Sequence, residues 1–434
     1  MGETAISAVR ARQVWDSRGR PTIEAEVTLA SGATGRAIAP SGASTGRREA
    51  LDKRDGGRRL GGHGVNEAIA AVNGAIAARL RGMDARDQAA VDAALIALDG
   101  TPQKSALGGN ATVATSCATA WAAAAVQHVP LFLHLRKCAG VTAPLQIPAP
   151  MIQIFGGGRH AGNRIDIQDF LILCPGAESF AQACEWTAEV YMAAAAAMAR
   201  RGKLNGVADE GGVWPDFSAN EEGLEALTLA IESAGFKPGA DIGIALDVAA
   251  SSFFAGGAYG LALEGRRLSS LQMIEMLERW VDDYSIVSLE DPLAEDDDAG
   301  FAEITRRLGS RCQIVGDDYL VTDAGRIAHA ARTGACNAAL LKANQCGTVS
   351  ELIAASNAAK GLGWTCIQSG RSGESEDVTL SHLAIGLGSD QIKVGSMTRS
   401  ERTAKWNEVL RIEEKYPDAN YGGFRIHRRQ VKFP

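Results

Sequence analysis

A series of short apolar runs between residues 169 and 396, most of them followed by a helical stretch, limits the fold more than any other feature: DFLILC, IGIALDV, SIVSLEDP, QIVGDDYL, AALLKANQ, WTCIQSGRS and QIKVGS. Strand–helix alternation at this spacing implies a parallel sheet with helical crossovers. Seven or eight such units are enough to close a barrel, and an open doubly wound sheet is the other option. No GxGxxG follows a strand and no P-loop occurs, so nothing here supports a dinucleotide site.

The first ~140 residues read differently. ISAVRARQVW, IEAEVTLA and RAIAP alternate in strand fashion and are separated by the turns DSRGRPT and SGATG, which predicts an antiparallel meander. VNEAIAAVNGAIAARL, DQAAVDAALIAL and a segment near 110–127 follow with helical period. The expectation is a small α+β domain over residues 1–140 and a β/α barrel over 141–434, α/β in class, with VTAPLQIPAP at the boundary.

With 434 residues, two domains are the natural division. A net charge of −7 excludes a general nucleic-acid binder, and the arginines of the first sixty residues read as a solvated surface mixed with acids. The eight cysteines form no CxxC pair, and no secretory signal opens the chain, so a reducing cytoplasm without disulfides is expected. AWAAAAV and MAAAAAMARR are too short to span a membrane and read as helices.

In a barrel, chemistry sits at the C-terminal ends of the strands. Those ends carry, in order, Asp247, Glu290, Asp317, Lys342, Arg371 and Lys393: three acids, then three bases. A single charged strand end is usually a cap or a surface ion pair, but six sorted by sign are hard to obtain from capping alone. Three converging carboxylates repel unless a cation lies between them, and ligation by oxygen alone points to Mg²⁺ or Mn²⁺. A lysine beside a second cation and partly desolvated is expected to have a depressed pKa and to act as a base. Arg371 and Ser372, in SGRSG, have the chemistry of an anion clamp, against the plainer reading of a solvated turn. The ensemble fits proton abstraction beside a carboxylate, a pattern the general chemistry of enolase-type sites already describes. In NGVADEGGVWPDF, glycines let Glu210 enter a pocket where desolvation would keep it protonated as an acid for a leaving group.

These residues resemble the enolases over essentially the full length. DSRGRPT, APSGASTGRREAL, HAGN with IQDF, ADEGG, ALDVA, SLEDPLAEDD, GDDYLVT, LLKANQCGT, SGRSGESED and QIKVGSMTRSER stand in the enolase order and spacing. The resemblance implies an N-terminal capping domain on an enolase-type barrel whose first units depart from strict strand–helix alternation. It implies Mg²⁺-dependent dehydration of 2-phosphoglycerate to phosphoenolpyruvate, the glycolytic lyase reaction. Asp247, Glu290 and Asp317 would hold one Mg²⁺, and Ser44 would help complete a second when substrate binds. Lys342 would take the C2 proton, and Glu210, working with Asp169, would protonate the departing hydroxyl. Lys393 would aid the carboxylate, Arg371 and Ser372 would hold the phosphate, and Gln168 and His160 would line the site. A homodimer or larger even assembly is implied, with no nucleic-acid or membrane partner.

The chain departs from the family pattern at Asp169 (Glu in the family), Gly370 (His), Arg20 (Asn) and Gly156 (Asn). Asp169 withdraws its carboxylate by roughly 1.5 Å, and Gly370 leaves the clamp with one donor fewer or with room for a larger group. Two other readings therefore stand beside the enolase one. The first is a paralogue using the same enolate chemistry on a modified phospho or phosphono three-carbon acid, as in carboxyphosphonoenolpyruvate synthases. The second is a non-catalytic enolase-fold binding protein.

Overall fold

The computed structural model of the chain describes residues 2–424. Strands β1 (Ile6–Trp15), β2 (Pro21–Leu29) and β3 (Thr34–Ile38) form the expected antiparallel meander. Ile23, Ala25, Val27 and Leu29 alternate onto one buried face, as a period of two requires. A helical run over residues 66–80 follows, then α1 (Gln88–Asp99), α2 (Gly109–Val126) and α3 (Leu131–Ala139). The Asp87 carboxylate accepts from the Ala90 amide to start α1, and Gly100, at φ 69°, ends it in the left-handed region.

Helix α2 is buried nearly all round because the sheet covers one side and the rest of the protein the other. Small residues let the backbones approach closely. A Cβ on Gly35 would stand 2.2 Å from the Ala122 nitrogen and 2.3 Å from the Ala118 oxygen. Gly35→Ala must therefore push α2 off the sheet. It is expected to cost about 3 kcal/mol, read as a lower thermal midpoint.

The cap is tied to the barrel through buried polar groups. Asp92 accepts from Gln88, Ser116 and both the amide and hydroxyl of Ser350, and Trp121 donates its indole N–H to Thr379 at 2.8 Å. Such a network holds only while every member is paired.

The barrel closes through eight strands. They are β4 (Ala149–Gly156), β5 (Asp169–Leu173), β6 (Gly243–Asp247), β7 (Ile286–Glu290), β8 (Gln313–Gly316), β9 (Ala338–Leu341), β10 (Thr365–Ser369) and β11 (Gln391–Ser396). Met151, Leu171, Leu173, Ala245, Val315, Leu340 and Ile367 form one interior cluster, while the alternate residues meet the surrounding helices. Helix α4 (Phe180–Arg200) contains the second Ala-rich run, and among the described residues no helix is long and apolar enough to cross a membrane.

The all-parallel expectation fails at one strand. β5 runs antiparallel to both β4 and β6. The connection over residues 157–168 contains only one short helical turn, so the chain doubles back instead of crossing over. Helices α4 and α5 (Asn220–Ser233) then both precede β6. The reversal brings the N-terminal end of β5, and with it Gln168 and Asp169, to the rim where the other strands end: Asp169 pairs in register with Asp247.

All eight cysteines are free thiols. Most of the early arginines that pair do so with nearby acids, as Arg12 does with Glu24 and Glu26, and Arg54 with Asp52. Residues 425–434 of the expected second domain lie outside the described residues.

Candidate active site

The rim of the barrel collects the charged strand ends. Asp247 and Glu290 are the last residues of β6 and β7 and pair in register. Asp317 and Lys342 immediately follow β8 and β9. Gly370, Arg371 and Ser372 follow β10. Lys393 differs from the expectation. It lies third in β11, which continues past it to Ser396 with a register shift before Gly395, and its long side chain reaches the rim.

Eleven of the twelve candidate residues are buried, and Ser44 is partly so. His160, Gln168, Asp169, Glu210, Asp247, Lys342, Arg371, Ser372, Lys393 and Ser44 line one narrow cleft. Glu290 and Asp317 stand behind it, against the two lysines.

Lys393 Nζ donates to Asp247 Oδ2 at 2.8 Å and to both Glu290 oxygens at 2.7 Å. The acid pair thus already takes a cation between its oxygens. Burial and the Asp247 carboxylate still push Glu290 well above the ordinary carboxyl range. Asp247 is held low because Lys393 outweighs burial. One ammonium therefore leaves this centre short of positive charge. Gln168 donates Nε2 to Asp247 at 3.1 Å, while its Oε1 and Asp169 Oδ2 are buried with no hydrogen-bond partner among the described residues. An all-oxygen set with surplus negative charge fits a hard divalent cation.

Lys342 corrects the sequence reading. Burial is the largest influence and lowers its pKa, as expected, but the Asp317 carboxylate at 2.5 Å and Glu290 act against it, and the net shift is upward. Gln345 holds the other Asp317 oxygen at 2.8 Å.

On the opposite sign of the ring, Arg371 is paired within the protein. Its guanidinium donates to Glu49 at 2.8 Å and to the Ser44 carbonyl at 2.8 Å. Burial would lower it, and Glu49 more than offsets this. The capping domain therefore reaches into the site through residues 44–49. Glu49, Gln345 and Gln153 were not singled out from the sequence, although Glu49 lies within SGASTGRREAL and Gln345 within LLKANQCGT. Ser372 Oγ accepts from the Ala43 amide at 3.1 Å and lies 3.1 Å from His160 Nε2. The space at Gly370 is not open: a Cβ there would meet Glu374 Oε1 at 3.1 Å and Leu380 at 3.3 Å.

Glu210 sits on a loop held by Val213, which bridges to Phe155 of β4, and by the Ser396 amide, which donates to the Glu210 carbonyl at 2.9 Å. Gly211 has φ +93°, and a Cβ there would lie 2.6 Å from the Thr398 carbonyl, so the loop tolerates only glycine. His160 lies 3.8 Å from Glu210 through Nε2 and 3.0 Å from Asp169 through Nδ1. Burial opposes its charge, but Asp169 and Glu210 overcome this and raise it to about 9. Because that value exceeds the ordinary 6.5, the charged imidazole stabilises the fold fully below about pH 6.5, and the contribution is lost as pH rises through about 9. The shift corresponds to on the order of 3 kcal/mol. Unfolding free energies of the native protein and His160→Asn, measured across this window, are expected to converge at its alkaline end.

Comparison with known proteins agrees with this geometry. The family described as "Enolase, N-terminal domain" matches residues 6–135, and "Enolase, C-terminal TIM barrel domain" matches residues 144–430. The chain is 48% identical over 412 residues to "Enolase 1" of Desulfitobacterium hafniense (strain Y51), covering 94% of this chain and 93% of that protein. With both domains matched in order and a relative this similar along nearly its whole length, the chain belongs to the enolase family.

Proposed function

We propose that the rim cleft carries out the enolase reaction, with two domains divided near residue 140 and the site built at their junction. The protein is a carbon–oxygen lyase of glycolysis that dehydrates 2-phosphoglycerate to phosphoenolpyruvate. One observation carries the assignment of residues: from six successive strands, Asp247, Lys342, Arg371 and Lys393 line one cleft, and Glu290 and Asp317 stand directly behind it against the two lysines.

Asp247, Glu290 and Asp317 would hold Mg²⁺, and Ser44 would join a second ion when substrate is present. Bound there, Mg²⁺ supplies positive charge that stabilises the dianion formed when the C2 proton leaves. With Asp317 and Glu290 committed as ligands, Lys342 would lose the neighbours that raise its pKa. Burial, Arg371 and Lys393 then all act to lower it, which suits Lys342 to accept the C2 proton. Glu210, beside charged His160 and Asp169, supplies a proton to the departing C3 hydroxyl. Lys393 and Gln168 orient the carboxylate. Arg371 and Ser372 hold the phosphate, for which Arg371 must exchange part of its bonding to Ser44 and Glu49. A homodimer or larger even assembly and a cytoplasmic location complete the reading.

The modified-substrate paralogue is not favoured. The chain is 48% identical to an enolase over 94% of its length. The test is product formation from 2-phosphoglycerate by the purified protein with Mg²⁺ and with a chelator. Turnover that the chelator abolishes and Mg²⁺ restores supports the reading, and no turnover overturns it.

A further inference from the structure

Asp169 and the loop bearing Glu210 are joined by one buried amide. Gln153, inside β4 and wholly buried, donates Nε2 to Asp169 Oδ1 and accepts the Gly212 N–H at Oε1, 2.9 Å away. His160 Nδ1 meets the same Asp169 oxygen at 3.0 Å. Oδ1 is thus held from two sides. Oδ2, without a hydrogen-bond partner and 3.9 Å from Lys393, is the oxygen left to the cleft.

The space for this amide is closed on both flanks. A Cβ on Gly156 would stand 3.2 Å from Gln153 Oε1 and 2.5 Å from the Ala208 Cβ, and one on Gly212 would stand 2.4 Å from Gln153 Oε1. The strands that carry the two side chains are fixed by pairing, Gln153 with Leu171 and Gly156 with Asp169. The gap between the backbones at 153 and 169 is therefore set by the barrel, and the two side chains must sum to it.

We propose that Gln153 is a positioning residue for the acid side of the reaction, and that its length and that of Asp169 are matched to each other. The long amide reaches the short carboxylate, selects which oxygen faces the cleft, and ties it through Gly212 to the loop that carries Glu210. An aspartate at 169 is then no defect. Asp169→Glu alone drives the carboxylate about 1.5 Å into the Gln153 amide, and Gln153→Asn alone opens an equal gap. The pair changed together restores the sum.

The inference rests on the enolase reading of the cleft, so its test uses 2-phosphoglycerate. kcat and KM are measured for the native protein, Gln153→Asn, Asp169→Glu and the double variant, with thermal melting of each. Each single change is expected to lower kcat at least about tenfold, with KM within about threefold, because displacements near 1 Å in a catalytic group cost on this scale. The double variant is expected within about threefold of native kcat. Gln153→Met fills the same space without hydrogen bonds and is expected to lose kcat with KM near native, alongside a lower melting temperature from the Gly212 N–H it leaves unpaired. Losses that simply multiply in the double variant, or a Gln153→Met protein with native kcat, would overturn the inference alone. A native protein inactive on 2-phosphoglycerate would instead overturn the functional reading, and this inference with it.

Discussion

Lys342→Ala is expected to lower kcat for 2-phosphoglycerate dehydration by about 10⁴-fold, the upper end of what one general base contributes. At 1.36 kcal/mol per decade this is about 5.4 kcal/mol of barrier. Lys342 is buried, immediately follows β9 and is hydrogen-bonded through its amide to Thr322 at 2.9 Å, so its backbone is fixed independently of its charge. The variant also frees Asp317, which Gln345 continues to hold, so the fold is expected to survive. Steady-state rates at saturating substrate check this. A loss confined to KM would show that the lysine only binds.

Asp317→Asn is the second large effect. It removes a ligand charge from the proposed metal site and, at the same time, the carboxylate that raises Lys342. Loss of several kcal/mol of charge stabilisation predicts a fall in kcat of about 10³-fold at any Mg²⁺ concentration. Weaker Mg²⁺ binding should appear in a calorimetric titration. Native Mg²⁺ dependence in this variant would remove Asp317 from the ligand set.

Most acid and base residues of the rim were readable from the sequence because each, Lys393 excepted, stands at or just after the end of an apolar run, where a closed barrel places chemistry. The direction of β5 was not. DFLIL has no polarity of its own, and only the absence of a helix between 157 and 168 distinguishes a hairpin from a crossover. For the same reason Asp169 could not be read as a rim residue by position, since it begins its strand instead of ending it. The upward shift of Lys342 in the metal-free protein was not readable, because Asp317 and Glu290, which raise it, lie on other strands, and proximity across a barrel leaves no local trace. Lys393 was placed at a strand end because a register shift is invisible in QIKVGS. Glu49 is 322 positions from Arg371, and no periodicity links them. The Gln153–Asp169 pair shows the same limit at shorter range: two side-chain lengths are complementary only once strand pairing has fixed the distance they span.

The division of labour between Lys342 and Glu210 is tested most directly by exchange of the C2 proton of 2-phosphoglycerate with deuterated solvent, with Mg²⁺ present, in Glu210→Gln and Lys342→Ala. Glu210→Gln should exchange that proton while forming little phosphoenolpyruvate, and Lys342→Ala should do neither. Exchange that persists without Lys342, or vanishes without Glu210, would contradict the assignment of Lys342 as the base and Glu210 as the acid.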